Sequence, residues 1–305
     1  MRVRGWVALV AAVLVAVAGC EGGERAAVRP AARCEPAGLT SGRHAFEGRS
    51  YLLTLPDEAD RPVPLIFDFH GLNSSAVAQS LFSRLAREGP RAGFAVVEPE
   101  TAAGRKGWKM PGMRQGGADV GYVGRLLTHL EQRLCLDRRR VYAAGFSNGA
   151  GLAAALVCGL RGRVAGVAAV GGVTMTRACA DPPPVTMLVV HGTADAIIPY
   201  GGGPPFGGRL SAVPAWMRPA DGRYALPSVP AATRAWARAQ GCAAPRRERD
   251  AEVVTTRYDG CRDGADVTLH TVEGAGHAWP GSFPIDRGVH TRRLDATRAL
   301  LDAFA

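Results

Sequence analysis

Short apolar runs alternate with amphipathic segments along most of the chain. The run PVPLIFDFH at 62–70 is almost continuously apolar, which is typical of a strand buried inside a sheet. Between residues 119 and 134, Val123, Leu126 and Leu130 recur at helical spacing instead, as on one side of a helix. The two patterns together predict strands and helices in alternation.

Applied along the chain, these patterns assign most segments to a strand or a helix. The predicted strands are 49–55, 62–70, 94–97, 141–144, 164–170, 185–190 and 267–272. The predicted helices are 76–88, 119–134, 148–160, 229–240 and 291–304. Apolar strands that alternate with helices favour a mostly parallel, twisted sheet with helices on both faces. The predicted fold class is therefore α/β.

One irregular stretch interrupts the alternation. Residues 201–227 are rich in glycine and proline, and a loop that long inside a compact domain is typically functional or mobile. No linker composition divides the chain after residue 34. We therefore expect one domain over 34–305, with one large excursion.

The N-terminal residues follow a third pattern. Arg2 and Arg4 precede an apolar run from Trp6 to Ala18. A basic start and a short apolar core are typical of an export signal, and the run is short for a transmembrane helix. We therefore expect the protein to be exported.

The apolar run ends in the letters VAGC, at Cys20. A cysteine after a small-residue cleavage site resembles the lipobox of bacterial lipoproteins, in which that cysteine is lipidated. The resemblance predicts a lipoprotein signal peptide at 1–19 and a tether at 20–33. It also predicts a lipid anchor in the membrane, at the outer face of the cell. Secretion without an anchor is the alternative.

Export to an oxidising compartment predicts disulfide bonds. Without Cys20, the seven cysteines leave an even set. Proximity along the chain favours two local pairs and leaves a third that ties the N-terminal segment to the domain. The expected pairs are Cys242 with Cys261, which flank a predicted hairpin, Cys158 with Cys179, and Cys34 with Cys135. Sequence alone leaves this connectivity open. Metal binding is the rival interpretation of the cysteines, but no C-x-x-C or H-x-x-x-H spacing occurs to support it.

Composition and charge narrow the function classes further. Hydrophobic residues make up 47% of the chain and charged residues 21%, which excludes global disorder. The formal net charge of +10 comes almost entirely from arginine, since Lys106 and Lys109 are the only lysines. The arginines are scattered, whereas nucleic-acid binding needs a clustered basic stripe on a recognisable module. We expect no nucleic-acid partner.

Residues 145–149 read Gly-Phe-Ser-Asn-Gly, which fits the pattern G-x-S-x-G. A predicted strand leads into the pattern, and a helix rich in small residues follows it. This context is that of a nucleophile elbow, a turn that projects the serine hydroxyl above the sheet. Ser147 is therefore the candidate nucleophile.

A serine hydroxyl needs a base and an orienting carboxylate, and after a nucleophile elbow the acid precedes the histidine along the chain. Asp195 lies just past a strand, at the sheet edge where active sites assemble, and Asp221 is the weaker substitute. His277 lies in the glycine-rich loop after the last strand. The predicted triad is Ser147, Asp195 and His277. We call the loop that contains Asp195 the acid loop. His191, at its start, is expected to hold this loop by hydrogen bonding.

The oxyanion of an attacked carbonyl needs two backbone donors. One is the N–H of Asn148, directly after the nucleophile. The other is assigned to Leu72 in the turn after strand 62–70, with Gly71 as the neighbouring alternative. Candidate walls of a substrate cleft are Trp108, Trp216 and Trp279.

Several segments resemble the poly(3-hydroxybutyrate) depolymerase and feruloyl esterase family of α/β-hydrolases. They are FDFHGLNSS, DVGYVGRLL, CLDRRRVYAAGFSNGAGLAAALVC, VVHGTADAIIPYGG and GAGHAWPG. The resemblance runs from about residue 35 to the C-terminus and implies the α/β-hydrolase fold. In that family the G-x-S-x-G serine, the aspartate after HGT and the histidine before Trp-Pro form the triad. These roles map onto Ser147, Asp195 and His277.

Two departures from the family pattern bear on the substrate. The family often has cysteine or tyrosine where this chain has Leu72. Members that attack solid polyester usually carry appended linker and polymer-binding domains, and this sequence shows none. We therefore expect a substrate other than crystalline polymer.

The resemblance implies an exported serine carboxylesterase that acts through an acyl-enzyme. Its expected partner is a short-chain or aromatic acyl ester of the feruloyl, acetyl or hydroxybutyrate type, either linked to a polysaccharide or in a hydroxyalkanoate oligomer. No cofactor is expected. The alternative is a cell-envelope acyltransferase, because the fold and triad are common to both reactions. A serine peptidase and a non-catalytic binding lipoprotein are the more distant alternatives.

Overall fold

The sheet at the centre of the fold has a parallel middle and antiparallel edges. The structure, a computed structural model, describes residues 38–57, 61–113, 116–218, 224–284 and 288–305. In chain order its strands are β1 (Gly42–Phe46), β2 (Arg49–Thr54), β3 (Val63–Phe69), β4 (Ala95–Pro99), β5 (Leu136–Phe146), β6 (Gly166–Val170), β7 (Thr186–Gly192), β8 (Arg246–Asp250), β9 (Val253–Tyr258) and β10 (Val267–Val272). They join in the order β1-β2-β4-β3-β5-β6-β7-β10-β9-β8. The pairs from β4 to β10 in that order are parallel, and those at both edges are antiparallel.

Helices pack on both faces of this sheet. They are α1 (Ala76–Ser83), α2 (Leu85–Arg91), α3 (Ala118–Arg133), α4 (Asn148–Gly159), α5 (Val229–Ala239) and α6 (Ala296–Phe304). Helices α3, α4 and α5 pack in one core with Ala143 of β5. The next strand residue, Ala144, packs with α1, α2 and α6 in a second core. Because successive strand residues point to opposite faces, the two cores lie on opposite sides of the sheet. The predicted α/β fold class is confirmed.

The predicted helix 76–88 is wrong as a single helix. Helix α1 ends at Ser83 because Arg84 takes a left-handed conformation, with φ 63°, while its N–H donates to the Ser80 carbonyl. Leu85 then begins α2 and is completely buried. Val77 and Leu81, which stand at helical spacing from Leu85 in the sequence, are 46% and 67% exposed, so the spacing of apolar residues gave no sign of the break.

The closing helix is shorter than predicted. It begins at Ala296 rather than at residue 291, because the Asp295 side chain accepts hydrogen bonds from the N–H groups of Thr297 and Arg298. A carboxylate in this position caps a helix and fixes its first turn. The prediction from spacing alone therefore placed the start too early.

The edge strands carry too few apolar residues to be identified one by one from the sequence. Strand β1 is mostly exposed, and every residue of β8 is exposed. Strands β8 and β9 nevertheless form the antiparallel pair expected between Cys242 and Cys261. In the long excursion, Gly203 and Leu226 exchange both backbone hydrogen bonds at 2.9 Å, which joins the two ends of that loop.

Two of the predicted disulfide bonds are present, Cys158–Cys179 and Cys242–Cys261. Cys135 is also disulfide-bonded, and its expected partner Cys34 lies outside the described residues. The segments 1–19 and 20–33, with Cys20, lie outside them as well. Of the helices that the structure describes, none is long and apolar enough to span a membrane.

Candidate active site

The turn between β5 and α4 holds Ser147 in an unusual conformation, with φ 56° and ψ −119°. Its N–H donates to the Val170 carbonyl at 2.8 Å, which ties the turn to the neighbouring strand β6. A Cβ atom at Gly145 would collide with the backbone of Gly149, and one at Gly149 would collide with the backbone of Phe69. The two glycines of the G-x-S-x-G pattern are therefore required by close backbone contacts. A serine held in so sparsely populated a conformation is typical of a functional site.

Asp195 lies in the loop just past the end of β7, and its carboxylate is only 1% exposed. One oxygen, Oδ1, accepts hydrogen bonds from the N–H groups of Ile197 and Ile198, both at 2.8 Å. The other, Oδ2, lies 2.7 Å from Nδ1 of His277 and 3.2 Å from Nε2 of His191. The loop backbone and two imidazoles therefore fix the carboxylate in place.

These contacts decide the charge of the carboxylate. Burial raises the pKa of the Asp195 carboxyl, but the hydrogen bonds and charges of His191 and His277 outweigh burial and hold the pKa well below its ordinary value. Asp195 is therefore ionised at neutral pH. An ionised carboxylate orients the imidazole that donates to it and stabilises that imidazole when it becomes charged.

His277 lies in the loop that follows β10, where it contacts Asp195. Because Nδ1 donates to Asp195, its neutral form leaves Nε2 as an acceptor. The imidazole packs on the Phe146 ring, with 4.6 Å between the ring centroids, and lines the same cavity as Ser147. The structure thus brings together the three residues that the sequence singled out.

His191, near the end of β7, contacts the acid loop. It is 2% exposed, and its Nε2 lies 2.9 Å from the Ile198 carbonyl as well as close to Asp195. Its Nδ1 is buried without a partner among the described residues, so Nε2 is the ring nitrogen placed to donate to these oxygens. His191 therefore acts on the acid loop and does not line the cavity that contains Ser147.

The turn after β3 lies next to Ser147. A Cβ at Gly71 would lie 3.4 Å from the Ser147 Cβ, so this turn passes directly beside the serine. The amides of Leu72 and Asn148 donate no hydrogen bond to any residue that the structure describes. Two free donors beside a serine suit an oxyanion.

The buried His70 fixes this turn internally. Its Nδ1 donates to the Gly71 carbonyl at 2.8 Å, and burial lowers the pKa of its imidazole. The indole N–H of Trp108 donates to the His70 carbonyl at 2.9 Å. The Asn148 side chain in turn holds Trp108 through both backbone groups, at 2.6 and 3.2 Å. Hydrogen bonds thus join the turn after β3, helix α4 and the loop after β4.

The cavity above Ser147 has a volume of about 410 Å³. Its walls are mostly apolar and include side chains that the sequence did not single out: Phe82, Phe146, Ile197, Phe206 and Phe283. They come from α1, β5, the acid loop, the long excursion and the loop after His277. The five side chains share no local motif, because each belongs to a different part of the chain.

The tryptophans expected to line the cleft lie elsewhere. Trp108 is completely buried, and Trp279 is 1% exposed with its indole N–H donating to Thr297 at 2.9 Å. Each has a hydrogen-bond partner inside the fold, and neither lines the cavity that contains Ser147. Trp216 is half-buried, and a Cβ at Gly107 would lie 2.9 Å from its ring. It too is outside the lining of that cavity.

Two further carboxyls are buried beneath α1. Asp68 accepts hydrogen bonds from Gln79 at 2.8 Å and from Ser83 at 2.5 Å, and Glu98 on the adjacent strand is 1% exposed. Burial raises the pKa of both carboxyls, and the charge of Asp68 raises that of Glu98 further. Within the described ranges, no group of three or more His, Cys, Asp or Glu residues is placed to hold a metal ion.

The chain is similar to known esterases. Residues 49–197 match the family model described as esterase PHB depolymerase. A probable feruloyl esterase C from Aspergillus flavus is 26% identical over 235 residues, which cover 75% of this chain and 82% of that protein. The feruloyl esterase C from Emericella nidulans is 29% identical over 171 residues, which cover 54% of this chain and 62% of that protein.

A solved structure shows the same fold. The acetyl xylan esterase from Aspergillus awamori superposes with a TM-score of 0.58 at 14% identity, over 84% of this chain and 94% of its own. Fold and relatives together define the protein as an α/β-hydrolase that hydrolyses carboxylic esters. Residues 49–197 therefore match the esterase PHB depolymerase family and the relatives include feruloyl esterases, which confirms the resemblance drawn from the motifs.

Proposed function

We propose that the protein is a serine carboxylesterase with Ser147 as nucleophile, His277 as general base and Asp195 as the residue that orients His277. The observation that supports this most strongly is the 2.7 Å contact between His277 Nδ1 and Asp195 Oδ2, with the same imidazole lining the cavity of Ser147. Serine hydrolases need this set of nucleophile, base and orienting acid.

The reaction begins when Nε2 of His277 takes the proton from the Ser147 hydroxyl and the serine oxygen attacks the ester carbonyl. The negative charge that develops on the carbonyl oxygen is stabilised by the N–H groups of Asn148 and Leu72; losing one such donor raises the barrier by roughly 2.7–4 kcal/mol. Protonated His277 then gives its proton to the departing alcohol, and an acyl-serine remains. Water attacks the acyl-serine in the same way and releases the acid.

The proposed substrates are short-chain or aromatic acyl esters. The feruloyl esterases among the relatives and the phenylalanine walls of the cavity support an aromatic or apolar acyl group. Acyl groups on a polysaccharide and hydroxyalkanoate oligomers both present such an ester.

Turnover of three substrates tests this proposal: methyl ferulate, an acetylated xylan and a soluble hydroxybutyrate oligomer. We expect hydrolysis of at least one, and a loss of at least about 10³-fold in the variant Ser147→Ala, because Ser147 supplies the oxygen that attacks the ester. Equal rates for the two proteins would contradict the role of Ser147. Transfer of the acyl group to an added sugar in place of water would identify the acyltransferase instead.

We further propose that the protein is exported and anchored to the membrane by a lipid on Cys20. The basic start, the short apolar run and the letters VAGC support this. Cells that express the protein should incorporate radiolabelled palmitate into it, and the variant Cys20→Ala should lose the label. Absence of label from the unaltered protein would contradict the anchor.

A further inference from the structure

Helix α1 forms one wall of the cavity above Ser147 and also presents apolar side chains to solvent. Ala78 and Phe82 line the cavity. Val77 and Leu81, each next to one of them in sequence, are 46% and 67% exposed. The helix therefore has one apolar stripe inside the cavity and a second outside it.

The two stripes are adjacent on the helix surface. Residues three or four apart are neighbours on a helix, so Leu81 lies beside both Val77 and Ala78. Across the cavity mouth, Phe283 is 55% exposed and its ring packs edge-on against Phe82, with 5.4 Å between the centroids. Phe82 and Phe283 in the cavity lining thus adjoin apolar side chains that are exposed at its outer edge. We call Val77, Leu81 and Phe283 the apolar rim.

The apolar rim stands out from the rest of the surface. Within the described residues, the large hydrophobic side chains that remain exposed are Val77, Leu81, Phe283 and Val289. Three of these four belong to the rim. Helix α1, with the sequence AVAQSLFS, has no charged residue, although the chain as a whole carries a net charge of +10. Single exposed apolar residues are ordinary, whereas a cluster of them marks a binding surface.

We propose that the apolar rim is an adsorption surface for water-insoluble esters, which holds the apolar phase of an ester droplet or aggregate against the mouth of the cavity. This inference rests on the proposed esterase function and adds the physical state of its substrate. Adsorption there would let an acyl chain slide from the droplet into the phenylalanine-walled cavity without being exposed to water. The hydrophobic effect supplies the attraction and is proportional to the apolar area covered.

The position of the rim favours the substrate over a second copy of the chain. Val77 and Leu81 flank residues that line the cavity, and Phe283 lines it directly. A protein bound across these side chains would cover the entrance to Ser147. An ester phase on the same surface instead delivers the reacting group to it.

The test compares dissolved and emulsified substrate in the double variant Val77→Ser, Leu81→Ser. Both side chains are largely exposed and lie outside the cavity lining, so the variant should fold normally. The matched control is Val289→Ser, because Val289 is 45% exposed but lies outside that lining. Rates are measured on p-nitrophenyl acetate in solution and on tributyrin below and above its solubility limit.

We expect unchanged rates on p-nitrophenyl acetate and on dissolved tributyrin, and roughly a three- to tenfold lower rate on the emulsion, because two apolar contacts are lost. The control should match the unaltered protein on all three. Equal loss on dissolved and emulsified ester, or no loss at all, would overturn the proposal. So would a change from dimer to monomer in the double variant, which would assign the rim to a second copy of the chain.

Adsorption is also measured without turnover, so that this inference and the esterase function can fail separately. Protein carrying Ser147→Ala and Cys20→Ala, which cannot adsorb through the proposed lipid, is mixed with triolein droplets and floated by centrifugation, with and without the two rim substitutions. The rim accounts for adsorption when only the protein with Val77 and Leu81 intact floats. Equal flotation of the two proteins would contradict the inference, whatever the esterase assay shows.

Discussion

At the scale of single residues, the charge and orientation of the Asp195 carboxylate depend on the groups that contact it. Two amides fix Oδ1, and two imidazoles approach Oδ2. Buried carboxylates are costly unless such partners compensate for lost hydration. Asp195 is therefore both ionised and held in one orientation, which is what an imidazole base requires of its partner.

Replacing Asp195 by asparagine should leave the shape of the site intact and remove its charge. An amide can donate to His277 Nδ1, which would place the imidazole proton on the wrong nitrogen. We expect kcat/KM on a soluble ester to fall roughly 10³- to 10⁴-fold, as expected when the acid of a triad is neutralised. The control is Asp181→Asn, because the Asp181 side chain is 82% exposed and pairs only with Arg262 among the described residues. A loss below about tenfold would argue against Asp195 as the orienting acid.

At the scale of elements, α1 connects the cavity to a buried acidic pair. Its inner face carries Gln79 and Ser83, which donate to Asp68 on β3, while Glu98 lies on the neighbouring strand β4. The next residues after β3 form the turn that contributes Leu72. Helix α1, the two buried carboxyls and the turn that contains Leu72 are therefore adjacent in the fold.

The acid pair should make stability depend on pH. Because burial raises the pKa of Glu98, folding favours its protonated form. The stability it contributes is present below the ordinary carboxyl pKa and is lost as pH rises through the raised value. The loss amounts to at most about 1.4 kcal/mol per pH unit over that interval.

Glu98→Gln should remove the part of this dependence that comes from Glu98. We expect the free energy of unfolding, measured with urea at several pH values, to fall less steeply toward alkaline pH in this variant than in the unaltered protein. Glu248→Gln is the control, since the Glu248 side chain is 62% exposed on the edge strand β8. Parallel curves for Glu98→Gln and the unaltered protein would show that the Glu98 carboxyl does not titrate with folding in the way described.

At the scale of the whole molecule, the features predicted from sequence are those with a local signal. Apolar runs indicated the parallel strands. Ser147 directly follows such a strand, and Asp195 and His277 lie in the loops just past two others. Because parallel strands end at one edge of a sheet, these three residues meet in space although they are far apart in the chain. Two disulfide pairs were also predicted, since their cysteines are close in sequence.

The features that were missed depend on contacts between distant segments. Spacing gave no sign that Arg84 breaks a helix, because Val77, Leu81 and Leu85 stand four residues apart as they would in one continuous helix. The indole groups of Trp108 and Trp279 find partners inside the fold, which a sequence does not reveal. The cavity walls, such as Phe82 and Phe206, come from separate elements and share no motif.

Covalent labelling tests the central claim, that Ser147 is the nucleophile of an esterase, most directly. The purified protein is treated with a fluorophosphonate and digested, and the modified peptide is located by mass spectrometry while residual esterase activity is followed. We predict one adduct per chain, on Ser147, with activity lost in proportion to labelling. An adduct on another residue, or full activity in the labelled protein, would contradict the account.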